Sequence, residues 1–175
     1  MSARIAMPVA EDFEDSEVTV PLERLRAAGH EVVLVGRQKG ERLKGKKGHA
    51  EVTTEAAAGD LDPADFGALV IPGGYSPDKL RMDEDVVDFV RRFGQGDGVL
   101  AAVCHGPQLL IEADLVDGRM VTSWPSVRKD LENAGAIWVD QQVCEDGRLI
   151  TSRKPQDLEA FCAAINRQLA GVSSR

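Results

Sequence analysis

The sequence predicts an α/β protein in which helices cover both faces of a mainly parallel sheet. Short apolar segments alternate with longer amphipathic ones along the chain, which is typical of strands joined by crossover helices. Segments 68–71 and 99–103 are apolar at every position, as expected for strands buried on both faces. The strongest hairpin signal, Asp146-Gly147, comes late in the chain and predicts a turn between two antiparallel arms.

The N-terminal part of the chain predicts a strand, a helix and a second strand. Residues 4–9 and 31–35 are the two apolar strands. Ser16 is the predicted cap of the helix between them, and Gly29 ends that helix. The acidic loop that joins the first strand to this helix would repel a phosphate group.

Between the second strand and the buried strands, the sequence predicts a polar excursion and two capped helical segments. Residues 37–47, rich in Gly, Lys and Arg, form a loop or hairpin with residues 50–54. This run of charge favours a solvated face over a binding patch. Asp62, which precedes a proline, and Asp83 are predicted N-caps of the helical segments before and after strand 68–71.

The C-terminal third continues the alternation of elements. Residues 120–123 and 137–139 are predicted strands with a helix between them. Residues 142–145 and 148–151 are the arms of the predicted hairpin, and residues 156–169 form a closing amphipathic helix.

The buried strand 99–103 ends at Cys104, and this junction is the strongest functional signal in the chain. A nucleophile on a sharp strand-to-helix turn needs small residues two positions to either side, where Ala102 and Gly106 stand. Pro107 suits the first turn of the helix that follows. The start of that helix should favour a thiolate and lower the cysteine pKa from its free value of about 8.5. A core cysteine at the end of a strand is the alternative interpretation.

Composition limits the classes of protein and partner. With 175 residues, 43% of them hydrophobic, we expect a single domain spanning 1–175 around one substantial core. The net charge of -8 argues against a nucleic-acid surface or an anionic membrane as partner. Small or neutral substrates fit this charge better.

Three cysteines, an odd number, do not resemble a disulfide framework and suit a reducing cytosol. No run approaches the roughly 20 apolar residues of a membrane helix, and the N-terminus has no cleavage signal, so we expect a cytoplasmic protein. No cluster of His, Cys and carboxylate residues has ligand spacing, so we expect neither a metal nor a cofactor.

The three histidines restrict the possible catalytic base. His30 lies at the start of a predicted strand and His49 lies in the polar excursion. No histidine follows His105. The triads of class I glutamine amidotransferases, papain-like enzymes and α/β-hydrolases all take a later histidine and are excluded. His105 can serve Cys104 if its ring folds back and a carboxylate orients its far nitrogen. It can also be a solvated residue at a helix start.

In a doubly wound sheet, the loops after the first, third and fourth main strands should meet at the switch point. They bring Glu14, Glu17, Gly73 and Gly74 towards Cys104. Gly73 and Gly74 are candidates for an oxyanion hole or an ordinary turn. Glu17 could be protonated and donate a hydrogen bond to the thiolate, its pKa raised by that anion, or it could interact only with its helix dipole.

Six segments together form a recognisable pattern. They are 14–17 (EDSE) ahead of Pro21, 69–74 (LVIPGG), 101–108 (AAVCHGPQ), 122–125 (TSWP), 133–140 (NAGAIWVD) and 151–155 (TSRKP). With them the chain resembles, nearly end to end, the PfpI-type branch of the ThiJ/PfpI superfamily. The resemblance implies a flavodoxin-like three-layer α/β/α sandwich with a nucleophile elbow at Cys104. It also implies that Glu17 contacts the sulfur and that Gly73 and Gly74 lie near the oxyanion.

The resemblance further implies an oligomer, a dimer or a dimer-based hexamer, with a shared site. In the oligomeric proteases of this branch, a glutamate four residues after the second glycine comes from a neighbouring subunit and orients the histidine. Here that position is Asp78, whose shorter side chain would reach His105 through a closer interface, through water, or not at all. By the same analogy Tyr75 and Trp124 line the pocket, although both could be ordinary loop aromatics.

Activities ascribed to the superfamily are intracellular peptidase, glutathione-independent glyoxalase, deglycase and redox-sensing stress protein. In the enzymatic cases Cys104 adds to an electrophilic carbon, amides stabilise the oxyanion, and His105 moves protons. We expect an acidic crevice that favours small α-oxoaldehydes or their adducts as substrates. A cysteine peptidase and a non-enzymatic redox sensor are the alternatives. A flavodoxin-like binding domain is disfavoured by the acidic first loop.

Overall fold

The computed structural model describes residues 2–173 and contains eleven strands and six α-helices in that range. The strands are β1 (Arg4–Pro8), β2 (Glu31–Gly36), β3 (Arg42–Lys44), β4 (Glu51–Thr53), β5 (Ala56–Ala57), β6 (Ala68–Ile71), β7 (Val99–Val103), β8 (Met120–Val121), β9 (Ile137–Trp138), β10 (Val143–Asp146) and β11 (Leu149–Ser152). The helices are α1 (Asp15–Ala27), α2 (Ser76–Leu80), α3 (Glu84–Gly94), α4 (Pro107–Glu112), α5 (Arg128–Asn133) and α6 (Leu158–Ser173).

Seven strands form one central sheet in the order β10-β11-β7-β6-β1-β2-β5. All neighbours in this sheet are parallel except β10 and β11, which are joined by a turn at Gly147 and Arg148, one residue later than predicted. The predicted mainly parallel sheet and its late hairpin are therefore confirmed. The predicted strands 120–123 and 137–139 are shorter, and as β8 and β9 they pair with each other in a separate two-stranded sheet.

Two apolar clusters lie on opposite faces of the sheet and make it a three-layer sandwich. In β1, Ile5 and Met7 face the cluster that includes α1 and α6, whereas Ala6 faces the cluster that includes α2 to α5. This alternation follows from the twofold side-chain period of a strand. Strand β7 is buried at all five positions, as its unbroken apolar sequence predicts.

The predicted caps were correct in two of three cases. The carboxylates of Asp62 and Asp83 accept the N–H groups of Ala64 and Val86, both at 3.0 Å. The prediction for Ser16 was wrong, because α1 begins one residue earlier, at Asp15, and has no side-chain cap.

Asp15 instead fixes the polar excursion against the start of α1. Its carboxylate accepts the N–H groups of Lys47, His49 and Ala50, each at 2.9 Å. The excursion is the predicted hairpin, with β3 and β4 antiparallel. Because three amides converge on one buried carboxylate, the loop between β3 and β4 has a defined position beside the first helix.

The switch point of the sheet lies between β1 and β6, because the chain moves from β1 outward to β2 and later returns to add β6 on the other side. The loop after β1 is joined to the loop after β6 by hydrogen bonds from Glu14 N–H to the Gly73 carbonyl, 3.2 Å, and from Tyr75 N–H to the Asp12 carbonyl, 2.9 Å. These loops and the end of β7 form the edge on which the candidate site is built. Within residues 2–173, every helix is too short or too polar to cross a membrane.

Candidate active site

Cys104 lies on the sharp turn between β7 and α4. Its φ of 63° is in the left-handed region, which a residue with a side chain adopts only when its surroundings require it. The Cys104 N–H donates to the Ser152 carbonyl and its carbonyl accepts from Trp124 N–H, both at 3.0 Å. A Cβ on Gly106 would lie 2.6 Å from the Ile71 carbonyl oxygen, so the turn requires glycine there. The predicted nucleophile elbow is confirmed as a backbone feature.

His105 folds back towards the sulfur, which is the condition for it to serve Cys104 as a base. Its Nδ1 lies 3.4 Å from Cys104 Sγ, and its ring stacks on Trp124 with ring centres 6.5 Å apart. Burial, followed by the charge of Lys46, lowers the pKa of His105. The imidazole is therefore neutral at neutral pH, which is the form that can accept a proton from the thiol.

The far nitrogen of His105 faces a hydroxyl group and not the expected carboxylate. Nε2 lies 3.4 Å from Ser126 Oγ. Ser126 was not identified from the sequence, and its only signal was a polar side chain shortly after a predicted strand at the same edge. Asp78 is exposed on α2, and within residues 2–173 of one chain it is not a partner of His105. Its role across a subunit interface stays a prediction.

Glu17 is fully buried in the first turn of α1. Its Oε1 accepts the Gly73 N–H at 2.8 Å, and its Oε2 is buried with no hydrogen-bond partner among the residues described. Burial, opposed by this N–H and helped by the charge of Glu14, raises the pKa of Glu17 to about 8. The raised pKa agrees with the prediction, but its principal cause is burial and not the neighbouring thiolate.

Gly73 lies between Glu17 and the nucleophile. A Cβ at this position would be 2.6 Å from Glu17 Oε1 and 3.0 Å from Cys104 Cβ, so only glycine fits. Since its N–H is already donated to Glu17, Gly73 is not free to bind an oxyanion, and that part of the prediction was wrong. Gly74, at φ +74°, remains the glycine amide of this turn that could do so.

The expectation of a lowered cysteine pKa was also wrong. Burial raises the pKa of the Cys104 thiol, and a negative charge on Glu17 raises it further, whereas the His105 N–H opposes both and has a smaller effect. The six-residue helix α4 does not outweigh burial. Two buried acids in contact avoid carrying two negative charges together, so the sulfur and the Glu17 carboxyl retain one proton between them.

A cavity of about 640 Å³ opens beside Cys104 and is not the acidic crevice that the sequence led us to expect. Its lining includes Glu14 but also three lysines, Lys46, Lys47 and Lys154. The ammonium groups of Lys46 and Lys47 each lie 2.8 Å from an oxygen of Glu14. The basic run in the polar excursion is thus not only a solvated face, because two of its lysines reach the site.

Glu14 is ionised in this setting. Burial alone would raise its pKa, but the hydrogen bonds and charges of Lys46 and Lys47 outweigh that effect and hold the pKa of Glu14 below its ordinary value. Glu14 therefore lines the cavity as predicted, yet as the partner of two cations and not as part of an acidic surface.

The two predicted aromatic residues differ in position. Trp124 lines the cavity and is 40% exposed. Tyr75 does not line it and is 64% exposed, with the Lys46 ammonium 5.8 Å from its ring centre. Within one chain Tyr75 therefore does not line this cavity, the position that the resemblance implied for it, and it lies on the surface as an exposed loop aromatic.

Cys144 and Cys162, the other two cysteines, are buried and free like Cys104. Across residues 2–173 no group of three or more His, Cys, Asp or Glu side chains is arranged to hold a metal ion. The reactive groups beside the cavity are the Cys104 thiol and the His105 imidazole, with the buried Glu17 carboxyl next to the sulfur.

The fold and the site together define an α/β sandwich with a cysteine on a nucleophile elbow, flanked by a histidine and a buried carboxyl. The chain belongs to the DJ-1/PfpI family, whose pattern matches residues 3–168. General stress protein 18 of Bacillus subtilis (strain 168) is 48% identical over 163 residues, covering 92% of this chain and 94% of that protein. Protein/nucleic acid deglycase 2 of Escherichia coli (strain K12) is 48% identical over 162 residues, covering 92% and 94%.

A solved structure from Anabaena variabilis, described as a two-domain protein with DJ-1/ThiJ/PfpI-like and ferritin-like domains, has a TM-score of 0.94 at 40% identity. The match covers 95% of this chain and 48% of that one, so this chain spans about half the length of that protein. The flavodoxin-like sandwich and the superfamily that the sequence predicted are both confirmed.

Proposed function

We propose that this protein is a stress-protective enzyme in which Cys104 attacks the aldehyde carbon of α-oxoaldehydes, or the former aldehyde carbon in their early adducts with amines and thiols. The observation that carries the proposal is the position of Cys104 Sγ, 3.4 Å from a neutral imidazole and in contact with a buried carboxyl of raised pKa. The names of the two relatives, a stress protein and a deglycase, support the same chemistry.

With methylglyoxal, His105 takes the thiol proton as sulfur adds to the aldehyde carbon, and the carbonyl oxygen receives a proton to give a hemithioacetal. Gly74 N–H is the candidate donor to the developing oxyanion. Transfer of the C1 hydrogen to C2 as a proton, through His105, gives a lactate thioester. Water then releases lactate and restores the thiol. Methylglyoxal and water together equal lactate in atoms and electrons, so this sequence needs no cofactor.

With an early adduct, the same attack occurs at the former aldehyde carbon. The amine or thiol that carried the adduct leaves with the proton held by His105, which gives the same hemithioacetal. Proton transfer from C1 to C2 and hydrolysis of the resulting thioester then follow as before. Glu17, protonated below about pH 8, can donate its Oε2 proton to the sulfur whenever the sulfur is charged.

Two observations favour this function over the alternatives. A cysteine peptidase needs a strongly basic imidazole, whereas His105 has a lowered pKa and its far nitrogen faces Ser126. A peroxide sensor needs only the sulfur, whereas this site also places the His105 imidazole 3.4 Å from it, a base that turnover uses. The three free cysteines support action in a reducing cytoplasm.

The test is lactate formation from methylglyoxal by the wild type and by Cys104→Ser. We expect the substitution to abolish turnover. Cys144→Ala, which removes a buried thiol of β10 away from the cavity, is the matched control and should retain turnover. Turnover that persists in pure Cys104→Ser protein would overturn the proposal.

A further inference from the structure

A second cavity, of about 470 Å³, lies at the opposite end of the central sheet from Cys104. Its lining comes from the segments that lead into β6, β7 and β11 and from the last turn of α3. These three strands are parallel neighbours, so their starts meet at one edge of the sheet, whereas Cys104 lies at the other edge, where β7 ends. The two cavities share no lining residue. The second is named the arginine cavity after its two cations, Arg92 and Arg148.

Arg148 has an unsatisfied donor in this cavity. Its Nε is buried without a hydrogen-bond partner among residues 2–173, although a buried donor without an acceptor costs stability. Elsewhere in the chain, Arg24 and Arg153 each use Nε and Nη2 side by side to bind both oxygens of a carboxylate, at 2.8 to 3.1 Å. Arg148 has no such carboxylate within the described range. Its free edge therefore matches a carboxylate supplied by a ligand.

Arg92 is the second cation of the arginine cavity, and its guanidinium is only loosely paired. It lies 3.9 Å from a carboxylate oxygen of Asp62 and 3.7 Å from one of Asp88, which is too far for a hydrogen bond. The N–H groups of Arg92 are therefore not committed to either aspartate.

The lining also contains two carboxylates, so its formal charges cancel. Asp62 and Asp97 stand against the two arginines. One oxygen of Asp62 accepts the Ala64 N–H at 3.0 Å, and Asp97 is exposed. Outside the lining, Asp88 faces Arg92 and the Arg4 guanidinium lies over the Phe66 ring, which adds one charge of each sign. A simple anion would meet the aspartates and a simple cation the arginines, so this lining favours a ligand that carries both charges.

The apolar wall of the arginine cavity is formed in advance. Phe66 and Phe93 are buried, and Phe66 packs edge-on against Phe89 with ring centres 5.8 Å apart. A Cβ on Gly98 would overlap the Phe93 ring, so this ring rests directly on the backbone. The volume lies in the lower part of the range of roughly 300 to 1,000 Å³ that is typical of small-molecule sites. One apolar group of side-chain size therefore fits beside the charged groups.

We propose that the arginine cavity binds a free α-amino acid with an apolar side chain. Arg148 takes the carboxylate through Nε and Nη2, after a small rotation that its half-buried side chain allows. The ammonium group is bound by Asp62 or Asp97, and the apolar side chain packs on Phe66 and Phe93. Nothing in this proposal depends on the proposed function, because the site contains neither the thiol nor the imidazole.

The first test is a titration of the whole ¹⁵N-labelled protein with L-phenylalanine, followed by NMR and by calorimetry. We expect saturable shifts of the Gly67, Gly96 and Gly98 amides, and none of the Gly73 and Gly74 amides beside Cys104. The absence of saturable shifts, or shifts confined to the Cys104 end, would overturn the site.

Two analogues test the ligand class. 3-Phenylpropionate lacks the ammonium group and phenethylamine lacks the carboxylate. Each should bind about tenfold more weakly than L-phenylalanine or worse, because each loses charge-assisted hydrogen bonds. Equal binding of either analogue would show that one pair of charged residues contributes nothing, and would overturn the assignment to amino acids.

The matched variants are Arg148→Met, Arg148→Lys and Arg92→Gln in the arginine cavity and Arg37→Met on an exposed segment after β2. Arg148→Met should raise the Kd for L-phenylalanine by about tenfold or more, and Arg148→Lys should not restore it, because lysine keeps the charge but lacks the planar fork. Arg92→Gln alters a side chain that is 54% exposed, so it tests the site without disturbing a buried stem, and it should weaken binding by a smaller factor.

Arg37→Met removes the same charge outside the cavity and should leave the Kd unchanged. The site is disproved if the cavity variants and Arg37→Met bind L-phenylalanine equally well. Since binding is measured without turnover, a failure of the proposed function would leave this result as it stands.

Discussion

The Glu17 carboxylate and the Gly73 amide are joined by a 2.8 Å hydrogen bond that ties the first helix to the loop after β6. This bond occupies the amide that the sequence offered as an oxyanion donor. It also leaves Oε2 of Glu17 buried beside Cys104 with no hydrogen-bond partner among the residues described. The residue that orders the site is therefore the same residue that controls the ionisation of its nucleophile.

Glu17→Gln should raise the pH midpoint of Cys104 alkylation. In the wild type the pair of buried acids loses its first proton near the Glu17 pKa of about 8, and the proton that remains can sit on the carboxyl while the sulfur carries the charge. An amide cannot take the proton, so the thiolate forms at higher pH. The measurement is the rate of alkylation by iodoacetamide against pH, with Cys104→Ser to subtract other thiols. A lower midpoint in Glu17→Gln would show that Glu17 acts only through its negative charge.

The same residue should make stability fall as pH rises. The pKa of Glu17 is about 8 in the folded protein and about 4.5 when unfolded, so the folded state holds more protons between these values. Each pKa unit corresponds to about 1.4 kcal/mol, so this group alone lowers the free energy of unfolding by several kcal/mol between pH 4.5 and pH 8.

Urea unfolding at a series of pH values measures the slope of the free energy of unfolding against pH. Glu17→Gln, which keeps the shape and removes the titration, should reduce it markedly. Glu159→Gln replaces a glutamate on the exposed start of α6 and is the control. Equal slopes in wild type and Glu17→Gln would mean that the carboxyl is not protonated by burial.

The elbow could be predicted from the sequence because its requirements are local. Small residues on either side of Cys104 and an unbroken apolar strand before it are conditions set within about ten positions of the chain. The mainly parallel sheet and its late hairpin were predictable for a similar reason, since alternating elements and one strong turn signal allow few arrangements. Glu17 was found because the switch-point rule places the start of the first helix opposite the elbow.

The positions of Lys46, Lys47 and Lys154 at the cavity beside Cys104, and of Ser126 beside His105, could not be predicted, because long-range contacts determine them. The basic loop reaches the cavity only because the buried carboxylate of Asp15 accepts its amides across more than 30 residues of sequence. The pKa of Cys104 was missed for a related reason, since burial is a tertiary property that opposes the local effect of a helix start.

Gly106→Ala should destabilise the fold and disable the site together. The new methyl group would lie 2.6 Å from the Ile71 carbonyl oxygen and 2.9 Å from that of Val103, both of them backbone atoms of buried strands. Overpacking of this kind costs about 1 to 3 kcal/mol, and the shift it forces would move Cys104 away from His105. Urea unfolding and methylglyoxal turnover are the measurements. Gly96→Ala, whose methyl group would meet its nearest atom at 3.4 Å, should change neither, and a neutral effect of Gly106→Ala would contradict the packing of the elbow.

The partner of the His105 far nitrogen decides whether one chain makes a complete site. Within the chain that partner is Ser126, 3.4 Å away. Ser126→Ala should therefore alter the pH profile of kcat/KM and lower kcat/KM itself, by less than the factor of roughly 10² to 10⁴ that acid–base catalysis supplies in total.

If Asp78 of a second copy also reaches His105, Asp78→Asn should lower kcat/KM as well. Mixing inactive Cys104→Ser with Asp78→Asn should then restore turnover, because a mixed assembly contains one site with both the sulfur and the carboxylate. The control is a mixture of Cys104→Ser with Ser126→Ala. Because Cys104 and Ser126 of one site come from the same chain, every site in a mixed assembly still lacks one of them, and this mixture should give no gain over its parts. Full activity of Asp78→Asn alone would assign the orientation of His105 to Ser126 and remove the second copy from the mechanism.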